Sequence, residues 1–197
     1  MPNASRLHAP APDARDRLLE TASNLFARYG YQAIGLRDLA SHLGLRPGSL
    51  YHHIESKQGL LFELIESSLT DLLYETRQSL KASRATNDRL RCFVQAFMVF
   101  SQTHPDRLVL LTREAMNLTD EQVMQVEHLK ATYSALLAEI VVTECNLCGP
   151  DSGPRAQTIA QAVLCLLCGH AHWGDVSVAN EQIVAFVQSI VRTGRTQ

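Results

Sequence analysis

The sequence predicts an all-α protein: an N-terminal three-helix head built around a helix-turn-helix, followed by a larger helical body, about nine helices in all. Three observations predict it. Apolar residues recur at helical spacing through most of the chain, and no convincing run alternates apolar with polar residues as a half-buried strand does. Gly and Pro cut that pattern into helix-length pieces at Gly30, Gly44, Pro47, Pro105 and the 149–154 stretch. Hydrophobic residues are 46% of the 197, enough to bury a sizeable core.

The elements follow in order. Residues 1–12 read as a disordered tail, and residues 13–56 as the head. The first helix starts near Asp13, places Leu18, Ala22, Leu25, Phe26 and Tyr29 on one face, and stops at Gly30. A second runs from Leu36 to Leu43, with Gly35 as N-cap and Gly44 beyond its end. A short third begins at Pro47, where proline suits the first helical position, and ends near His53.

Residues 57–197 form the body. Ser56 caps a long fourth helix to about Ser83, and Ser83 to Asn87 is a break. The fifth helix carries Leu90, Phe93, Val94, Phe97 and Met98 on one face and ends at His104-Pro105. A sixth spans Asp106 to Met116, and a long seventh runs from Asp120 to about Glu144. After a loop from Gly149 to Pro154, the eighth covers Arg155 to His172 and is apolar on nearly every side between Ile159 and Cys168. The ninth covers Glu181 to Arg192.

Charge is distributed unevenly. Residues 1–60 hold seven Lys/Arg against five Asp/Glu, and residues 61–197 hold eleven against fifteen. A mildly basic head on an acidic body fits local phosphate contact without a basic surface overall. The N-terminal stretch lacks an apolar signal-peptide core, and the apolar run near Leu164 to Cys168 is far too short to span a bilayer, so a cytoplasmic protein without membrane contact is expected. Its five cysteines then read as free thiols.

Two short helices meeting at Gly44 are the sequence form of a helix-turn-helix, whose second helix enters the DNA major groove. Gly48 lets backbone approach a ligand closely, and Ser49 can donate to a base or phosphate. Tyr51, His52 and His53 offer groups suited to phosphate oxygens, and Lys57 adds charge at an anion-favouring helix N-terminus. Arg37 and His42 fit a solvated helix face equally well.

At these residues the chain resembles the TetR family of bacterial regulators. The carriers are Leu18 to Ala22 with Leu25-Phe26 and Gly30-Tyr31, then Leu36 to Ala40 with Leu43-Gly44-Leu45. Most specific is Gly48-Ser49-Leu50-Tyr51-His52-His53-Ile54 followed by Ser56-Lys57. The close match covers about Asp13 to Leu64. Ile34 and Gly35 depart from the usual Thr or Ser, Arg46 stands where a small residue is common, and Ile54 replaces a usual Phe. The resemblance implies double-stranded DNA as partner, read as a palindromic operator, with Arg37, Arg46, Pro47, Gly48, Ser49, Tyr51, His52, His53 and Lys57 at the interface.

Two heads must sit about one helical turn apart, roughly 34–36 Å, so a homodimer is expected. The apolar eighth helix needs a second partner surface, and the family pairs through its last two helices. The interface candidates are Leu164, Cys168, Ile183, Val187 and Ile190. The fourth to seventh helices resemble the family's chamber for a small-molecule effector. Phe93, Phe97, Met98, Phe100, His104, Arg113, Met116 and Tyr133 are its candidates, mixing apolar surface with a few polar groups. The same spacing also describes plain core. The family default is repression without ligand and release upon binding.

Cys145-x-x-Cys148 and Cys165-x-x-Cys168 have the numerical spacing of a four-thiolate zinc site, with His170 and His172 nearby. The second pair sits inside an apolar helix, where buried Cys acts as a small hydrophobe, and no resident metal or cofactor is expected. Thiol or zinc sensing, and DNA binding without an effector, stand as alternatives. An enzyme is not expected: no nucleophile with its base, carboxylate pair or phosphate loop is arranged in the sequence.

Overall fold

The structure, a computed structural model, describes residues 14–82, 88–173 and 180–193. The expected tail and the expected break at 83–87 lie outside the described residues. Among those described there is no strand. The head contains α1 (Ala14–Tyr29), α2 (Leu36–His42) and α3 (Pro47–Leu50). The body contains α4 (Lys57–Ala82), α5 (Arg89–Thr103), α6 (Pro105–Val109), α7 (Asp120–Cys145), α8 (Ser152–Trp173) and α9 (Asn180–Thr193). None is long and apolar enough to cross a membrane among the described residues.

The head closes around Leu18, Ala22, Leu25 and Phe26 of α1, Leu39 and Ala40 of α2, and Leu50 of α3, all buried. Gly30 at φ +87° and Gly44 at φ +67° end α1 and α2 in the left-handed region, which a Cβ disfavours. Past Gly44, the Leu45 amide donates to the Ala40 carbonyl at 2.8 Å, a six-to-one closure that turns the chain into α3. Gly35 has no capping side chain of its own; the Asp38 carboxylate instead reaches back to accept from the Gly35 amide at 2.8 Å. α3 stops at Leu50, shorter than expected. Single tight turns follow, with the His53 amide donating to the Leu50 carbonyl at 2.9 Å.

In the body, α4 buries Leu60, Leu61, Leu64, Ile65, Leu69, Leu72 and Leu73 against α5 and α7, and α8 packs most extensively on α7. α7 opens with a reciprocal cap: the Gln122 amide donates to Thr119 Oγ1 at 3.3 Å, and the Thr119 amide to Gln122 Oε1 at 3.1 Å. α8 begins at Ser152, inside the expected loop, because Pro154 falls in its first turn where an amide is not needed.

The segment expected as one sixth helix is split. After α6 come a π turn, Leu110–Glu114, and a 3-10 turn, Ala115–Asn117. Thr112 Oγ1 donates to the Leu108 carbonyl at 2.9 Å and lies 3.2 Å from the Val109 carbonyl, competing with the backbone ladder. His172 Nε2 at the end of α8 sits 2.6 Å from the same hydroxyl.

Candidate nucleic-acid interface and effector cleft

The head presents one continuous exposed turn. Arg37, Arg46, Pro47, Gly48, Tyr51 and His52 are exposed, and Ser49 and His53 are half-buried beside them. Tyr51 is 60% exposed, although its neighbour Leu50 is fully buried. The fold therefore spends Leu50 on the core and leaves Tyr51 unpacked. Neither Arg37 nor Arg46 has a carboxylate partner among the described residues. A Cβ built at Gly48 would meet nothing within 4 Å, and its φ is not positive, so the chain's own packing does not require glycine there. An external surface pressed against α3 would.

Lys57 stands in the first turn of α4 and rests over two rings of the head. Its Nζ lies 4.0 Å from the Tyr31 ring centroid and 5.8 Å from that of Phe26. Desolvation lowers its pKa, opposed by the carboxylates of Asp38 and Glu114. The ammonium thus pins the first turn of α4 to the head by a cation–π contact.

Three links that sequence reasoning missed hold the head to the body. Arg15 of α1 donates to the His53 carbonyl and to the Glu63 carboxylate of α4, at 2.7 Å to the latter. Asn24 Nδ2 donates to Asp106 Oδ2 at 3.1 Å. Asn117 accepts from Gln32 Nε2 at 2.7 Å through its side chain and from Gln58 Nε2 at 3.0 Å through its carbonyl. These are long-range pairings of exposed polar residues, for which helical periodicity carries no signal.

An apolar cleft of about 220 Å³ opens in the body between α4, α5, α6, the π turn, α7 and α8. Of the sequence candidates, Phe97 and Tyr133 line it, with Leu69, Leu72, Leu108 and Leu111. Phe93, Met98 and Phe100 are buried core outside the lining. His104 is half-buried at the start of α6. Arg113 lies outside the cleft lining and Met116 is 86% exposed, so neither belongs to the cleft. The π turn rotates Arg113 outward, and the 3-10 turn does the same for Met116. Tyr133 is fully buried; desolvation raises its pKa, and its hydroxyl lies 3.2 Å from Thr76 Oγ1.

The interface candidates divide likewise. Ile183 and Val187 are 8% and 0% exposed within a single chain, so they pack in its own core. Leu164 and Cys168, half-buried, line the cleft. Ile190 is half-buried, and Phe186, absent from the candidates, is 56% exposed. Exposure marks the outward face of α9 at Phe186 and Ile190, which keeps the predicted Ile190 and puts Phe186 in place of Ile183 and Val187.

The four cysteines of the two pairs separate. Cys145 is buried at the end of α7 and its Sγ donates to the Val191 carbonyl at 3.1 Å, whereas Cys148 is exposed. Cys165 and Cys168 both line the cleft. Burial raises the Cys168 thiol to about 11, with Cys165 adding to the rise and Lys130 opposing it. Among the described residues no three His, Cys, Asp or Glu side chains converge to hold a metal ion.

A helix-turn-helix head with an exposed recognition turn, linked to an all-helical body with its own cleft, defines the class of helix-turn-helix regulatory proteins. Residues 18–64 match the family described as "Bacterial regulatory proteins, tetR family". The HTH-type transcriptional repressor KstR2 of Mycolicibacterium smegmatis is 33% identical over 107 residues, 54% of this chain and 52% of that protein. The HTH-type transcriptional activator FasR of the same organism is 32% identical over 114 residues, 58% of this chain and 52% of its own. The chain spans about half the length of these curated relatives. The crystal structure of PfmR, a TetR family transcriptional regulator from Thermus thermophilus, superposes with TM-score 0.78 at 27% identity, covering 92% of this chain and 97% of that one. The chain is thus similar to TetR-family regulators, by sequence in its helix-turn-helix head and by fold over most of its length.

Proposed function

We propose that this protein is a sequence-specific DNA-binding transcription regulator, a homodimer on a palindromic operator, released when a small and mainly apolar ligand enters the body cleft. The observation that carries the reading is the exposed turn from Arg46 to His52, with Arg37 and Arg46 outside any ion pair among the described residues and a glycine that internal packing does not require. Phosphate contacts from such a surface position a recognition helix, and base edges give the specificity. Repression is the sign proposed; the relatives include both a repressor and an activator.

The coupling follows from connectivity. Leu108 and Leu111 line the cleft, and Asp106 and Asn117 on the same short segment bond to the head. A ligand that prefers one setting of this segment shifts the head, by no more than its differential affinity for the two settings. The dimer face proposed is the outward side of α9 at Phe186 and Ile190 together with the neighbouring face of α8. Selection of bound sequences from a random duplex pool tests the proposal. Enrichment of a two-fold symmetric site supports it, and failure to enrich any site overturns it.

A second reading, a thiol-responsive regulator, is favoured by one observation: Cys165 and Cys168 lie one turn apart on the cleft wall. Loss of DNA binding upon mild oxidation, restored by reductant and absent in Cys165→Ser, distinguishes it.

A further inference from the structure

A separate polar cleft of about 430 Å³ lies where the head meets the body, between α1, α4 and the start of α6. Its floor is Leu19 and Leu64. Asp16 and Glu20 of α1 line it four residues apart on one helix face, an arrangement that repels. Neither forms an ion pair among the described residues. Asp106 lines the same cleft from α6. Arg107 lies there too, but its guanidinium is held by Asp71 at 2.7 Å, and His104 lines the cleft beside it.

The hydroxyls identify what is missing. Ser67 Oγ donates to the Leu64 carbonyl at 3.2 Å and Thr103 Oγ1 to the Val99 carbonyl at 2.9 Å. Ser23 also lines the cleft and is only 7% exposed, yet its buried Oγ has no hydrogen-bond partner. A serine in a helix ordinarily bonds to a carbonyl one turn back. A buried hydroxyl left unpaired on the wall of a cleft that three carboxylates also line is satisfied by an incoming donor, and the unpaired charges of Asp16 and Glu20 by an incoming positive charge.

We infer that this junction cleft is a second ligand site, for a small organic cation with a primary ammonium on a short methylene chain. The three N–H groups of the ammonium bond Ser23 and the carboxylates of Asp16 and Glu20, Asp106 adds its charge nearby, and the methylenes lie on Leu19 and Leu64. The ligand touches both α1 and α6, so it bridges the two parts of the chain that the Asn24–Asp106 hydrogen bond already joins. The site shares no lining residue with the apolar cleft. The ligand's effect on DNA affinity rests on the proposed function; its binding does not.

Calorimetric titration of the DNA-free protein with spermidine, and with triethylene glycol as an uncharged chain, tests the site. One saturable spermidine per chain and no glycol binding are expected. Glu20→Gln and Ser23→Ala should each weaken spermidine about tenfold, the scale of a lost charge-assisted hydrogen bond. Glu139→Gln, an exposed charge change on α7, should leave the affinity intact. Ser23→Ala should melt no lower than the parent, since it removes an unpaired polar atom, so its weakened binding is not misfolding. Absence of saturable binding, equal loss in Glu139→Gln, or unchanged affinity in both junction variants overturns the inference.

Discussion

One guanidinium nitrogen of Arg15 donates to both carboxylate oxygens of Glu63, at 2.7 and 2.8 Å, while the other holds the His53 carbonyl. The end of the recognition turn is thereby fixed to α1 and α4 together. Both side chains are more than a third exposed, so their direct contribution to stability is small, about 0.2–1 kcal/mol. Arg15→Ala should therefore melt within a few degrees of the parent yet bind DNA several-fold more weakly, because the turn loses its setting. Fluorescence anisotropy with the selected duplex, alongside thermal denaturation, separates the two effects; equal loss in both would mean Arg15 is simply structural.

Tyr51 and Lys57 should behave differently. Tyr51→Ala removes an exposed ring, so it should weaken DNA binding across sequences at unchanged stability. Lys57→Ala also removes an ammonium seated over Tyr31, and should cost about 0.5–2 kcal/mol of stability besides. Chemical denaturation of both variants checks this, together with the salt slope of binding. A Lys57→Ala protein as stable as the parent would show that the cation–π seat contributes nothing.

The outward face of α9 separates a dimer defect from a folding defect. Phe186→Asp places a charge at an exposed position and should give folded monomers by sedimentation. Val187→Asp buries a charge in the chain's own core and should unfold it. If Phe186→Asp stays dimeric, the pairing face lies elsewhere.

Thiol reactivity reports on the apolar cleft. Cys168 has its pKa raised to about 11, above an ordinary thiol, so its protonated form is favoured in the fold. The stability this contributes is fully present below about pH 9 and is lost as pH rises toward about 11. Exposed Cys148 should alkylate first, and Cys168 only as pH climbs through that window. A ligand in the cleft should protect Cys165 and Cys168 and spare Cys148, read by mass spectrometry of each peptide. Uniform protection of all three would place the ligand elsewhere.

Phe97→Trp enlarges a buried side chain on the cleft wall. Overpacking there costs about 1–3 kcal/mol. It should abolish ligand response while leaving DNA affinity near the parent's. Loss of both would indicate global misfolding.

Helical periodicity carried most of the architecture, because an amphipathic stripe fixes an element and its buried side at once. It could not say what covers that side. Val187 and Phe186 are adjacent apolar residues on one helix, and only the packed chain assigns one to the core and the other to the surface. The head was legible at its turn, where Gly44 supplies the left-handed backbone, whereas only the packed chain sends Leu50 inward and Tyr51 outward. The cleft was less so. Phe97 and Tyr133 were found, but Leu108, Leu111 and Cys165 look like any other core positions, and Met116 was misplaced by a change of helix type. The junction contacts of Arg15, Asn24 and Asn117 join residues distant in sequence, so no local pattern announces them.

The π turn at Leu110–Glu114 makes phase the quantity that matters in this segment. Each residue of an α-helix advances the chain by about 100°. Deleting one residue here would let an unbroken α-helix run on, swinging Asn117 away from Gln32 and Gln58 while leaving Leu108 on the cleft wall. Arg113, outside the cleft, can change identity with little structural consequence, but the number of residues between Leu108 and Asn117 cannot change without uncoupling what the body holds from where the head points.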